Sequence, residues 1–383
     1  MRGVTGFNGA RLIQARSVRG LTQASLSAIT GYSRPSISKW ESGDQLPEAI
    51  AVSQIAKALG VSDHWLMREP IISNDNQFFF RSNTTATKQV RLVSTIRLEW
   101  AFEISNILQE WVGLPDVNLP KSISREAALA LTDAEIETLS EECRSHWGLK
   151  DGPISNIMRL IESAGIVVIR EESGYVNIDG VSSWFEQESR PYIWLAADKA
   201  SFVRSRFDLA HELGHIIMHR HLESEDHNNP SKYKEIERQA HLFAAAFIMP
   251  ASSIALELRN PTLDSLVLSK RRWGASVGAL IMRASTLNLI SDEHKSRLFR
   301  NYSYRGWKTR EPYDAETPVE SPTLLSKSIK LLLDQGGFRK HDLVEKTGFS
   351  AKEIENICGL PSDFMSDNFG ELIPFKPKLK FLV

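Results

Sequence analysis

His211-Glu212-Leu213-Gly214-His215 constrains this chain more than any other five residues in it. Two imidazoles four positions apart share one face only when the backbone is helical. In that geometry they can grip a single zinc ion, and Glu212 between them can activate water beside it. Leu209, Leu213, Ile216 and Ile217 fit a half-buried helix, and no proline interrupts Arg206 to His219. A third ligand is needed. Downstream, Glu235 to Met249 reads as a second apolar-faced helix closed by Pro250. Glu237 there can complete a His211, His215, Glu237 set and leave the fourth position open. The bland alternative is that Glu237 simply caps or solvates the helix start. His241 falls one turn later on the same face, as a ligand or as a partner for a ligand's free ring nitrogen. Asp208 is the other candidate for that supporting role. Glu235 lies about 200° round the helix from Glu237 and is the weaker ligand. His219, His221 and His227 read as surface histidines.

The N-terminal 70 residues carry a different signal. Gly9 to Arg19, Gln23 to Ile29 and Arg34 to Glu41 read as short helices, with Thr22 and Ser33 as caps and Gly31 at the bend. Pro35 falls in a first turn, where it is tolerated. Leu26, Ile29, Ile37 and Trp40 are the expected packing residues. Ile50 to Leu59 forms a further helix before Gly60. The helix from Arg34 to Lys39 can then enter a major groove. Arg34, Ser36 and Ser38 would face base edges, and Gln23 and Lys39 would reach phosphate or base. Residues 1–70 hold eight Lys or Arg against five Asp or Glu. The whole chain has a formal net charge of −1, so nucleic-acid binding must rest on a local face.

Between these regions, Asn74 to Thr85 reads as an ordered linker anchored by Phe78 to Phe80. Thr87 to Trp111 reads as one long helix with Val90, Val93, Ile96, Trp100, Ile104 and Ile107 on a stripe, packing onto the following domain or pairing two copies. Helices are expected at 124–131, 132–147 and 153–163. Strands are expected at 165–169, 179–184 and 191–195, ahead of the zinc helix. Further helices follow at 253–258, 263–270 and 277–287, and Lys270-Arg271-Arg272 is a short basic run. After a linker at 314–322, Gly348-Phe-Ser350 repeats the helix-turn-helix cadence. Glu353 and Glu355 make its second helix acidic, which favours protein docking over base reading. The expected fold class is α+β and predominantly helical. It comprises a helix-turn-helix bundle (1–70), a helical connector (71–150), a zincin-like domain with a small sheet (151–312) and a helical C-terminal region (313–383). Two widely separated cysteines and no apolar leader point to a cytoplasmic protein with no membrane partner.

The words Arg206-Phe-Asp-Leu-Ala-His-Glu-Leu-Gly-His215 and Glu237-Arg-Gln-Ala-His-x-Phe-Ala244, ending in Met249-Pro250, resemble the ImmA/IrrE metallopeptidases. Gln239 and His241 stand where members of that family often carry Glu and Asn. The N-terminal pattern from Ala10 to Leu66 resembles the XRE family of helix-turn-helix domains. Together these resemblances imply a prokaryotic or phage-like regulator that binds an operator in double-stranded DNA, as a homodimer in the manner of repressors. They also imply a zinc endopeptidase that cuts a protein, either a repressor or an antitoxin, with Glu212 as the catalytic base. A transcription factor with a non-proteolytic zinc or sensory domain, or one component of a toxin–antitoxin pair, remain the alternatives.

Overall fold

Short helices closed by left-handed glycines build the first domain. The structure, a computed structural model, describes residues 3–71, 78–82, 88–172, 174, 178–198 and 201–366. α1 (Gly9–Val18), α2 (Gln23–Thr30), α3 (Arg34–Ser42) and α4 (Ala49–Leu59) follow in order. The Thr22 and Ser33 hydroxyls accept the Ser25 and Ser36 N–H groups, and Gly31 turns the chain at φ 78°. Leu26, Ile37 and Trp40 are buried between the helices. Ile29 is not a packing residue: it lies 57% exposed, and α2 buries Leu26 alone.

α5 (Lys88–Leu108) is the hub of the molecule. Its expected stripe is buried at Val90, Val93, Ile96, Trp100 and Ile104, but Leu98, Ala101 and Phe102 are buried too. Three neighbours therefore cover it. Trp100 meets Trp65 of the first domain at 5.4 Å and Phe349 of the C-terminal region at 5.0 Å. Phe102 stacks on Phe185 of the sheet at 4.6 Å. Charges fix the first contact. Arg11 pairs with Glu103 and lies 4.5 Å over the Trp65 ring, while Gln14 donates to Glu99 at 2.8 Å. Burial, with Glu103 adjacent, raises the Glu99 carboxyl to about 8.

After α6 (Arg125–Leu129), α7 (Asp133–His146) and α8 (Ile157–Ser163) comes the sheet. Its strands are β1 (Phe78–Ser82), β2 (Val167–Glu171), β3 (Ile178–Phe185) and β4 (Arg190–Ala196), in the order β1-β3-β4-β2. β2 and β4 are parallel and the other pairs antiparallel. β1 corrects the linker expectation: Phe78 to Ser82 is a paired strand, and the rest of 74–85 lies outside the described residues. Alternation along the strands splits the interior in two. Val167, Ile169, Val181, Phe185, Tyr192 and Trp194 join the core around α5. Val168, Ile193 and Leu195 join a second core built on the zinc-motif helix.

That second core draws on α9 (Phe202–Gly214), α11 (Pro230–Ile248), α12 (Ala251–Glu257), α13 (Leu263–Trp273), α14 (Val277–Thr286) and α15 (Asp292–Tyr304), while the short α10 (Ser224–Asn228) leads into α11 outside it. The basic run at 270–272 is structural at its first residue. Lys270 is buried against Glu311 and Asp314, and Glu311 also accepts the Val277 and Gly278 N–H groups that open α14. The linker expected at 314–322 is likewise tied down, because Glu320 pairs with Arg206 and accepts the Ile157 and Met158 N–H groups at the start of α8.

The chain then forms α16 (Leu324–Asp334), α17 (Lys340–Thr347) and α18 (Ala351–Cys358), which pack on α5 and β2. No single helix among the described residues is long and apolar enough to cross a membrane.

Candidate metal centre

The centre starts from two helices that cross closely. Gly214 makes this possible, since a Cβ there would come within 3.0 Å of the Phe243 ring of α11. The crossing sets Glu237 against both histidines. His211 Nε2 and His215 Nε2 lie 3.0 Å apart, with Glu237 oxygens 3.5 and 3.4 Å from them. A tetrahedral ion with ligands at roughly 2.0–2.1 Å needs donor separations of about 3.3–3.4 Å. The triad fits that size, and it is the one group of three metal-binding side chains brought together among the described residues. The two imidazoles are buried and Glu237 is half-buried.

The helix changes pitch inside the motif. His215 to His219 form one π-helical turn, with backbone bonding of the i→i+5 type. The turn places His215 Nδ1 2.9 Å from His219 Nδ1, and His219 Nε2 2.9 Å from Gln239 Oε1. An amide oxygen only accepts, so His219 Nε2 carries its proton and its Nδ1 accepts from His215 Nδ1–H. His215 Nε2 is left with its lone pair toward the triad. Burial, with His215 beside it, pushes the His219 imidazolium down to about 3, so the ring stays neutral. This corrects the surface reading of His219, which is fully buried. His221 is exposed, hydrogen-bonded to Ser122 at 3.1 Å, and His227 is half-buried.

Glu212 sits under β3. Its Oε2 accepts the Ser182 hydroxyl at 2.6 Å, and Gly180 leaves room for it: a Cβ at 180 would lie 2.8 Å from Oε1. Gly180 and Ser182 read from sequence only as strand residues. Their spacing of two on one sheet face, with a glycine in a strand interior, was the available signal. His241 does not enter the triad. It is exposed, with its ring 4.6 Å from that of His211 and stacked on Phe207 at 5.8 Å. Asp208 is buried on α9, 3.8 Å from Arg204, which also pairs with Asp179 at 2.5 Å. Glu235 is engaged by Arg238 at 2.7 Å.

The comparisons with known proteins agree with this geometry. Residues 13–66 match the helix-turn-helix family, and residues 161–285 match the IrrE N-terminal-like domain of the peptidase M78 family. A relative from Sinorhizobium fredii, the uncharacterized HTH-type transcriptional regulator y4dJ, is 42% identical over 62 residues. That alignment covers 77% of the relative and 16% of this chain. This chain belongs to the XRE-type helix-turn-helix regulators and carries an IrrE N-terminal-like domain. The His211, His215, Glu237 triad, Glu212 and their supports Gly214, His219 and Gln239 all fall within that domain.

The DNA-facing expectations are placed as follows. Arg34, Ser38 and Lys39 are exposed on α3, and Ser36 is half-buried, 2.9 Å from the Ser33 hydroxyl. Gln23 is drawn inward, its amide donating to Glu41 at 2.8 Å, beside the Arg16–Glu41 pair. The first domain docks through α1 and the Trp65–Met67 turn, which leaves α3 clear.

Proposed function

We propose that this protein is a DNA-tethered zinc endopeptidase that regulates transcription by cutting a protein partner, a repressor or an antitoxin. The observation that carries this reading is the convergence of His211, His215 and Glu237 from two helices beside a buried Glu212. When bound, zinc supplies a Lewis acid for a peptide carbonyl and makes water acidic enough to attack near neutral pH. The protein's own groups do the rest. Glu212 takes a proton from the attacking water and delivers it to the leaving amine as the C–N bond breaks. Ser182 holds that carboxylate in place, and the Gln239–His219 relay fixes the tautomer of His215. A base held this way has no use in a purely structural site. A cleft of about 350 Å³ beside His241, with Phe207, Leu242 and Met282 in its wall and Arg238 at its rim, suits an apolar substrate side chain.

On the DNA side, Arg34 and Ser38 are proposed to read base edges and Lys39 to meet phosphate. Gln23 contributes after release from Glu41, and Ser36 orders the start of the reading helix. Two copies would occupy an operator with two half-sites. The test joins metal analysis to proteolysis of repressors encoded beside this protein. The wild type should hold about one zinc per chain, and His215→Ala should lose it. Glu212→Gln should keep the metal and stop cleavage. Undiminished cleavage by Glu212→Gln, or a wild type that takes up no zinc, overturns the reading.

A further inference from the structure

The strand Phe78–Ser82 joins the sheet in a place that a self-contained metal domain has no need to fill. β3 is the strand against the base, since Gly180 and Ser182 pack on Glu212. One edge of β3 is taken by β4. The other edge is taken by β1, which comes from the far side of the chain, between the DNA-reading domain and α5. The register is specific: Arg81 lies opposite Gly180, Phe80 opposite Val181, Phe79 opposite Ser182 and Phe78 opposite Ser183. The two β3 residues that touch the base are therefore the ones spanned by this segment. β1 runs antiparallel to β3, and the pairing breaks register between Arg81 and Ser82. An open edge beside a hydrolytic carboxylate offers backbone N–H and C=O groups to any extended peptide.

We propose that the outer edge of β3, Gly180–Ser183, is the surface on which this protein holds extended peptide, and that its own interdomain segment Phe78–Ser82 occupies that edge as a resident ligand. The inference rests on the peptidase reading for its purpose, but not for its geometry. A peptide in trans must displace the resident strand. The substrate class is then a segment that can lie extended over about five residues. The segment that must leave is also the tether of the DNA-reading domain.

The test uses proline in the full-length protein. Successive residues of a strand point their N–H groups to opposite edges, and proline has none. Of Phe79→Pro and Phe80→Pro, one must remove an N–H that faces β3, and its neighbour must not. Amide hydrogen exchange of β3, and binding of a fluorescein-labelled peptide with the sequence of residues 76–85, are measured with and without zinc. The expected result is that one variant exposes the alternate amides of Gly180–Ser183 that face β1, exchanging about tenfold faster or more while those facing β4 stay protected, and binds the peptide at least about tenfold tighter than wild type. The other variant should resemble wild type, which guards against a general failure to fold. The proposal is overturned if both variants keep these amides protected, or if the amides open and the peptide is not taken up. Peptide uptake leaves the strand assignment standing whether or not any protein is cleaved, so a peptidase reading lost in the repressor assay is distinguishable from a failure of this proposal.

Discussion

The turn between α2 and α3 and the turn between α17 and α18 have nearly the same backbone and opposite surfaces. Gly31 sits at φ 78°, ψ −2° and Gly348 at φ 75°, ψ 2°. Ser33 and Ser350 then cap the second helix in each, both at φ −66°. Leu26 and Leu343, each five residues before the glycine, are buried, as are Ile37 and Ile354, each four residues after the cap. Thr30 and Thr347 even donate to the matching carbonyls, Leu26 and Leu343, at 2.8 Å. The differences lie outside this frame. α3 presents Arg34, Ser38 and Lys39 to solvent. α18 is turned inward, with Phe349 packed on Trp65 and Trp100 and with Glu353 paired to both Arg19 and Arg97. The same scaffold thus leaves its second helix open to solvent at one end and packs it as a brace at the other. The third position after the cap differs in kind: Ser36 in one, the ion-paired Glu353 in the other.

The largest way to break this comparison is at that position. Glu353→Lys would place a cation against Arg19 and Arg97 in a buried site. It should cost about 3–5 kcal/mol of stability in a denaturant melt, whereas Ser36→Lys on exposed α3 should cost less than about 0.5 kcal/mol. Equal losses would mean that the brace is not charge-locked. The shared frame is tested next: Ile37→Ala and Ile354→Ala should each destabilise by about 2–5 kcal/mol. A loss at only one of them would show that the likeness stops at the backbone.

A pH titration separates the first domain's anchor from the brace. Glu99 has its folded value raised to about 8 from an ordinary 4.5. The folded state therefore binds that proton more tightly than the unfolded chain. Stability from this group is complete below pH 4.5, falls as pH rises toward 8 and is flat above it. The fall should be on the order of 2–4 kcal/mol, and Glu99→Gln should flatten it without altering the Glu353 contacts. A wild-type stability that climbs between pH 6 and 8 would contradict this account. The smallest effect on the fold is expected from Arg34→Ala. It should leave the melting curve within about 0.5 kcal/mol of wild type while weakening operator binding by about 1–3 kcal/mol, measured by fluorescence anisotropy at fixed salt.

Much of this was readable because local rules fix it. Caps, left-handed glycines and apolar spacing placed α2, α3, α7 and the three strands of the metal domain within a few residues. The His211, His215, Glu237 set followed from helical spacing on two predicted helices, and the structure brings all three together. What escaped depended on partners distant in sequence. His219 looked like a surface residue because the acceptor that holds it, Gln239, lies on the next helix, twenty positions on. Ile29 looked buried because it falls three residues after Leu26, but α2 buries Leu26 alone. Phe78–Ser82 carried strand-forming residues, but nothing local revealed which edge it would join. Arg19, Arg97, Glu171 and Glu353 form one buried cluster from four separate parts of the chain, and no window of sequence contains two of them.

The sheet has a consequence for how the molecule comes apart. Tyr192 and Trp194 face one interior while Ile193 and Leu195 face the other, so a single strand is wall to both rooms. Neither side can loosen β4 without exposing the other. Three regions that look separable along the chain should therefore melt together, and heat or denaturant should release the helix-turn-helix domain and dismantle the candidate metal site in one transition.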